Sequence, residues 1–88
     1  MNEDKLKKVF KEALNIDESI ITDELTYNTI PEWDSISHMH LIDRIEQEFD
    51  LVIDTEDVIA LNSFAKAKEI IKKYEINWSY AVITNFIK

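Results

Sequence analysis

One short run concentrates the side chains that could do chemistry: Glu32-Trp33-Asp34-Ser35-Ile36-Ser37-His38-Met39-His40. Asp34 and Ser35 are both capping residues ahead of an apolar-periodic stretch, so the spacing predicts a helix opening at this pair. A serine hydroxyl there sits at the positive end of a helix, where backbone N–H groups lack partners. A phosphate ester on Ser35 would be favourably placed. The plainer alternative is capping alone, and the dipeptide by itself is a weak signal. Ser37 is the one nearby rival hydroxyl, and it falls inside the predicted helix. His38 and His40 are two apart, so they point to different faces and make a poor metal pair. Each is expected as a surface histidine. Ser35 with a histidine and Asp34 would make a hydrolase only with an elbow or an oxyanion nest, and nothing in the sequence supplies either. Asp50, Asp54, Glu56 and Asp57 gather acids without the glycine and spacing of a calcium loop.

The elements around this run are constrained by composition. The chain has 88 residues, no glycine, no cysteine and one proline. That length predicts one domain with a lean core. Without glycine there is no phosphate-cradling loop, dinucleotide fingerprint or Asn-Gly hairpin turn. Without cysteine there is no disulfide, thiolate metal site or thiol nucleophile. Helices joined by ordinary loops are expected, with function carried by side chains. The charged N-terminus has no signal-peptide pattern, and no run of about 18 apolar residues predicts a membrane span.

Charge is distributed unevenly. The formal net charge is −8, yet residues 17–57 hold thirteen acids against Arg44 alone, for −12. Residues 1–16 carry +1 and residues 64–88 carry +3. Clustered bases of the kind that contact phosphates are absent, which argues against nucleic acid and anionic membrane. A basic protein partner is the natural complement, although acids also simply solvate a small domain.

Leu6, Val9, Phe10, Ala13 and Leu14 recur at helical spacing, predicting a first helix over 2–14, with Asn2 as N-cap and Asn15 doing the C-cap work of a glycine. Residues 15–33 make a long connection whose Ile16, Ile20, Ile21, Leu25, Tyr27 and Ile30 keep no steady period and are expected to pin it over the core. A second long helix runs on to Phe49, its apolar face read from Ile36, Met39, Ile42, Ile45 and Phe49 with Leu41 beside them. Leu51-Val52-Ile53 is expected as a buried linker. Asp54 or Thr55 should start a short helix reaching Leu61. Ser63 should cap a fourth, with Phe64, Ala67, Ile70, Ile71 and Tyr74 facing inward. Residues 75–88 fit either a strand (Ile76, Trp78, Tyr80, Val82) or a helix (Tyr80, Ile83, Ile87). Their apolar content predicts packing on the domain or on another molecule.

Asp34-Ser35-Ile36, followed by an apolar helix ending Glu46-Gln47-Glu48-Phe49, resembles the Asp-Ser-Leu motif of acyl carrier proteins. The order of elements over residues 3–75 resembles that family too. The implied fold is all-α, a four-helix bundle of three longer helices and one short, with a carrier domain at 1–75 and a C-terminal extension at 76–88. The family's motif serine is modified by a phosphopantetheinyl transferase that draws on coenzyme A. The resemblance implies 4′-phosphopantetheine on Ser35, with Asp34 as its motif neighbour and the arm's thiol holding acyl or aminoacyl groups as thioesters. Such a protein catalyses nothing itself. Partner enzymes of the family present bases to the helix after the serine, so Ile36, Met39, His40, Asp43, Glu46 and Glu48 are the implied docking residues. Ile36 and Met39 also suit the core, Met39 about as well as it suits docking. Ile36 replaces the usual Leu. Trp33 and His40 depart from fatty-acid carriers, and Trp33-Asp34-Ser35 resembles stand-alone carriers of polyketide, peptide or surface-polysaccharide pathways. The expected state is a cytoplasmic monomer. The alternative is an unmodified acidic helical adaptor that binds a basic protein.

Overall fold

In the computed structural model, which describes residues 2–74, four helices pack around one apolar core. Helix α1 is Asn2–Leu14, α2 is Ser35–Phe49, α3 is Thr55–Ala60, and α4 covers 64–74. The order and relative lengths agree with the all-α expectation. The extension at 76–88 lies outside the described residues, as does the side chain of Asn2, which already belongs to α1.

Leu6, Val9, Phe10 and Leu14 bury one face of α1. Phe10 lies at the centre, edge-on to Trp33 at 5.3 Å and to Phe64 at 5.1 Å between ring centroids. Edge-to-face contacts add to the burial of large rings. The two long helices that turn left-handed at their ends do so without glycine. Asn15 (φ 55°) closes α1, and the Ile16 N–H returns to Lys11 O at 3.2 Å. Asp50 (φ 53°) closes α2, and the Leu51 N–H returns to Glu46 O at 3.1 Å. Asn and Asp tolerate this region best among residues with a Cβ.

The long connection contains a single 3₁₀ turn, Glu18–Ile20, capped by Asp17, whose carboxylate accepts the Ser19 N–H at 3.0 Å. Ile16, Ile21 and Leu25 are buried as pins, while Ile20 and Tyr27 stay exposed. The far end is stitched to the start of α4. Tyr27 N–H donates to Asn62 O at 2.8 Å and Phe64 N–H to Leu25 O at 3.0 Å, around a Thr26–Ser63 bridge. Ser63 caps α4 as expected, its hydroxyl accepting Lys66 N–H at 2.9 Å.

Two expectations need correction. The 51–53 linker is not buried throughout: Ile53 is buried, but Val52 is 79% exposed. The buried face of α2 is Leu41, Ile42 and Ile45, with Phe49 partly covered, and excludes Ile36 and Met39. Among the described residues, no helix is long and apolar enough to cross a membrane.

Candidate functional site

The site is built from Trp33 outward. Its indole is wholly buried, and both of its backbone groups are tied by turns: N–H to Ile30 O at 3.2 Å, and O to Asn28 N–H at 3.1 Å. Asn28 takes the third left-handed position, φ 67°, which lets the loop double back. The residue before Asp34 is therefore fixed by the core itself.

Asp34 is the N-cap of α2, and its carboxylate accepts the Ser37 N–H at 2.9 Å. That hydrogen bond holds the Asp34 carboxyl below the usual carboxylate range. Ser35 is the first residue of the helix and is exposed. No hydrogen bond from another described residue engages its hydroxyl. Ser37 lies two residues further in and is half-buried, with its N–H already committed to Asp34.

His38 is the residue that sequence reading misplaced. It is a half-buried bridge, not a surface side chain. Its Nδ1 accepts the Trp33 indole N–H at 3.0 Å, and its Nε2 meets Val58 O at 2.8 Å. An indole nitrogen can only donate, so Nδ1 is the acceptor and the proton sits on Nε2, donating to Val58 O. The imidazole also stacks on Trp33, with Tyr27 edge-on at 5.4 Å. One side chain thus links the loop, α2 and α3. A signal for this was present: residues 38, 41, 42 and 45 have the i, i+3, i+4, i+7 spacing of one helix face. Tyr27 and His38, with Ile59, Leu61 and Asn62, line a cleft of about 230 Å³ beside α3.

Ile36, Met39, His40 and Asp43 share the spacing of one helix face and are all exposed, Ile36 by 81% and Met39 by 58%. Asp43 accepts from Gln47 Nε2 at 2.9 Å. Glu48 is also exposed, 3.8 Å from Arg44, which makes a 2.8 Å pair with Glu12 of α1. Glu46 is placed differently: it is half-buried, and its carboxylate accepts the Ile53 N–H at 2.8 Å, fastening the 51–53 connection to α2.

A family model described as the phosphopantetheine attachment site matches residues 4–71. The chain belongs to that family. The matched span takes in α1, the connection, the Asp34-Ser35 pair, α2, α3 and most of α4. Phosphopantetheine-binding domains of this kind attach the 4′-phosphopantetheine group covalently and interact with phosphopantetheinyl transferases and acyl-handling enzymes. The residues present suit that group. A phosphodiester requires an unencumbered hydroxyl open to solvent, and a helix N-terminus stabilises its charge. Ser35 meets both conditions.

Proposed function

We propose that Ser35 is the attachment point of 4′-phosphopantetheine, and that the chain carries acyl or aminoacyl groups on that arm between the enzymes of a specialised pathway. The reading rests on one observation: within the matched region, Ser35 offers an exposed hydroxyl at the first residue of α2, directly after the capping Asp34. When attached, the group supplies a thiol that holds its cargo as a thioester. The chain's own part is positional. Asp34 starts the helix, Trp33 anchors the loop behind it, and Ser35 faces outward. The protein catalyses no step itself; tethering raises the local concentration of cargo at each partner enzyme.

The strip Ile36, Met39, His40 and Asp43, with Glu48 on the same helix, is the proposed docking face. Its apolar residues would meet the partner's centre and its acids the partner's lysines and arginines, which speeds encounter and selects partners. Glu46 belongs to that face only at its margin, since its carboxylate already holds Ile53. The bulky Trp33 is the feature that directs the reading toward polyketide, peptide or polysaccharide assembly rather than primary fatty-acid synthesis. We place the protein in the cytoplasm as a monomer, a state that repulsion between copies of net charge −8 favours.

The test is an intact-mass measurement after incubation with coenzyme A, Mg²⁺ and a broad-specificity transferase. The expected result is a gain of one phosphopantetheine, lost in Ser35→Ala and kept in Ser37→Ala. No gain in the unaltered chain would refute the carrier reading, and a gain that survives Ser35→Ala would refute the site.

A further inference from the structure

Both ring nitrogens of His38 are committed, and the two commitments respond oppositely to a proton. Nδ1 accepts the Trp33 indole N–H at 3.0 Å, and Nε2 donates to Val58 O at 2.8 Å. Histidine is the side chain whose charge changes nearest neutral pH in ordinary surroundings. A proton added at Nδ1 sets two N–H donors head to head, and that hydrogen bond cannot persist. The same proton strengthens the other bond. Asn62 N–H turns to Ala60 O at 2.8 Å, so Val58 O lacks the partner that a longer α3 would give it. A carbonyl left over at a helix end favours a positive charge beside it.

The surroundings leave the outcome to these two bonds. From the connection, Tyr27 and Trp33 face the ring, and neither carries charge near neutral pH. On α2, Asp34 O accepts the His38 backbone N–H at 2.8 Å, while the Asp34 carboxylate is turned to the Ser37 N–H. On α3, Asp57 is held by Lys73 and Tyr74, and Asp54 and Glu56 are exposed. Among the described residues, no carboxylate pairs with His38. His38 borders the cleft it shares with Tyr27, Ile59, Leu61 and Asn62, so a proton can reach it from solvent. The Trp33 indole is wholly buried, and His38 is the one acceptor its N–H has among the described residues.

We infer that His38 is a proton-sensitive latch. Neutral, it ties Trp33, and with it the loop that leads into Asp34 and Ser35, to α2 and α3. Protonated, it stays on Val58 O and lets Trp33 go. The frame behind Ser35 is thus tight at neutral pH and slackens on mild acidification. The inference is independent of the carrier reading, because its test involves no modification.

The test follows the full chain by NMR between about pH 8 and pH 5, the range in which an imidazole changes charge. The readout is the protection of the Trp33 indole N–H from solvent exchange, corrected for the intrinsic pH dependence of exchange. That signal is assigned by its absence in Trp33→Phe. Protection should fall about tenfold or more as the His38 ring titrates. The Leu61 amide, which donates to Asp57 O within α3, should keep its protection. His38→Gln retains one acceptor and one donor without titrating, so there the indole protection should stay level. His40→Gln, at an exposed position, should behave as the unaltered chain. Indole protection that holds across the His38 titration would overturn the inference. So would a pH dependence that survives in His38→Gln or vanishes in His40→Gln. The ring nitrogen shifts of the unaltered chain give a check that needs no variant: a neutral His38 protonated at Nδ1 instead of Nε2 would overturn it as well.

Discussion

The Trp33 indole N–H meets His38 Nδ1 at 3.0 Å, so the residue before the Asp34-Ser35 pair is bonded to one a full turn inside the helix that the pair opens. The bond spans Ser35 without touching it. With Asp34 capping and Val58 O beneath His38, the first turn of α2 is fixed on its inner side while its outer side stays open.

His38→Ala leaves the Trp33 N–H and the Val58 carbonyl without their partner. Each unsatisfied buried polar group costs about 1–3 kcal/mol, so the variant should lose about 2 kcal/mol or more. Urea unfolding should show a lower midpoint at an unchanged slope. Combined with Trp33→Phe, the two effects should fall short of additivity by about 1 kcal/mol, because they remove the same bond. Full additivity would dissolve the link.

The left-handed residues give a second test. At Asn15 (φ 55°), Asn15→Ala should destabilise by about 1 kcal/mol, while Asn15→Gly should be neutral or stabilising. Asp50→Ala and Asp50→Gly should rank in the same order. Thermal melts check this, and an alanine variant as stable as its glycine counterpart would contradict the assignment.

Tyr74 predicts an alkaline limit. Its removal from solvent, with the Asp57 carboxylate beside it, raises its pKa from 10.0 to about 12. A group with a raised folded pKa gives its full contribution below the unfolded value and loses it as pH rises through the folded one. Stability should therefore fall between about pH 10 and 12, and Tyr74→Phe should flatten that part of the profile. Absorbance titration of the tyrosines should show Tyr74 ionising near 12. At the acid end the sign is opposite. Hydrogen bonds from Lys73 and Tyr74 hold the Asp57 carboxyl below its usual 3.8, so its contribution is present above that value and lost as pH falls below it.

Charge reversal tests the docking face. Asp43→Lys with Glu48→Lys should leave melting nearly unchanged, since both are exposed. With a transferase bearing a basic docking patch, KM should rise several-fold while kcat holds, and the salt dependence of kcat/KM should weaken. An unchanged KM would remove these two residues from the face.

Caps and periodicity made much of the fold legible. Asn15, Asp34 and Ser63 each act where local chemistry put them, because capping depends on one side chain and its nearest backbone groups. The Asp34-Ser35 pair and the order of the helices were equally readable. The orientation of the first turn of α2 was not. Two stripes compete there, one through Ile36 and Met39 and one through His38 and Leu41, and counting apolar residues favours the first. The second prevails because the Trp33 N–H and Val58 carbonyl need a partner able to accept and donate at once, a demand arising from residues outside the helix. The Glu46–Ile53 bond was hidden for a similar reason: it exists only once the left-handed Asp50 has folded the chain back. The 3₁₀ turn at Glu18–Ile20 is too short to carry any period.

The outward strip on α2 owes nothing to the core. Ile36, Met39, His40 and Asp43 can each be exchanged without opening a cavity or stranding a buried polar group, while Trp33 and His38 hold the serine's frame from behind. If the strip is the docking face proposed above, stability and partner choice are written in separate residues. A designer seeking non-interfering pairs of carrier and enzyme could then vary these four positions, with Glu48, while leaving the scaffold intact.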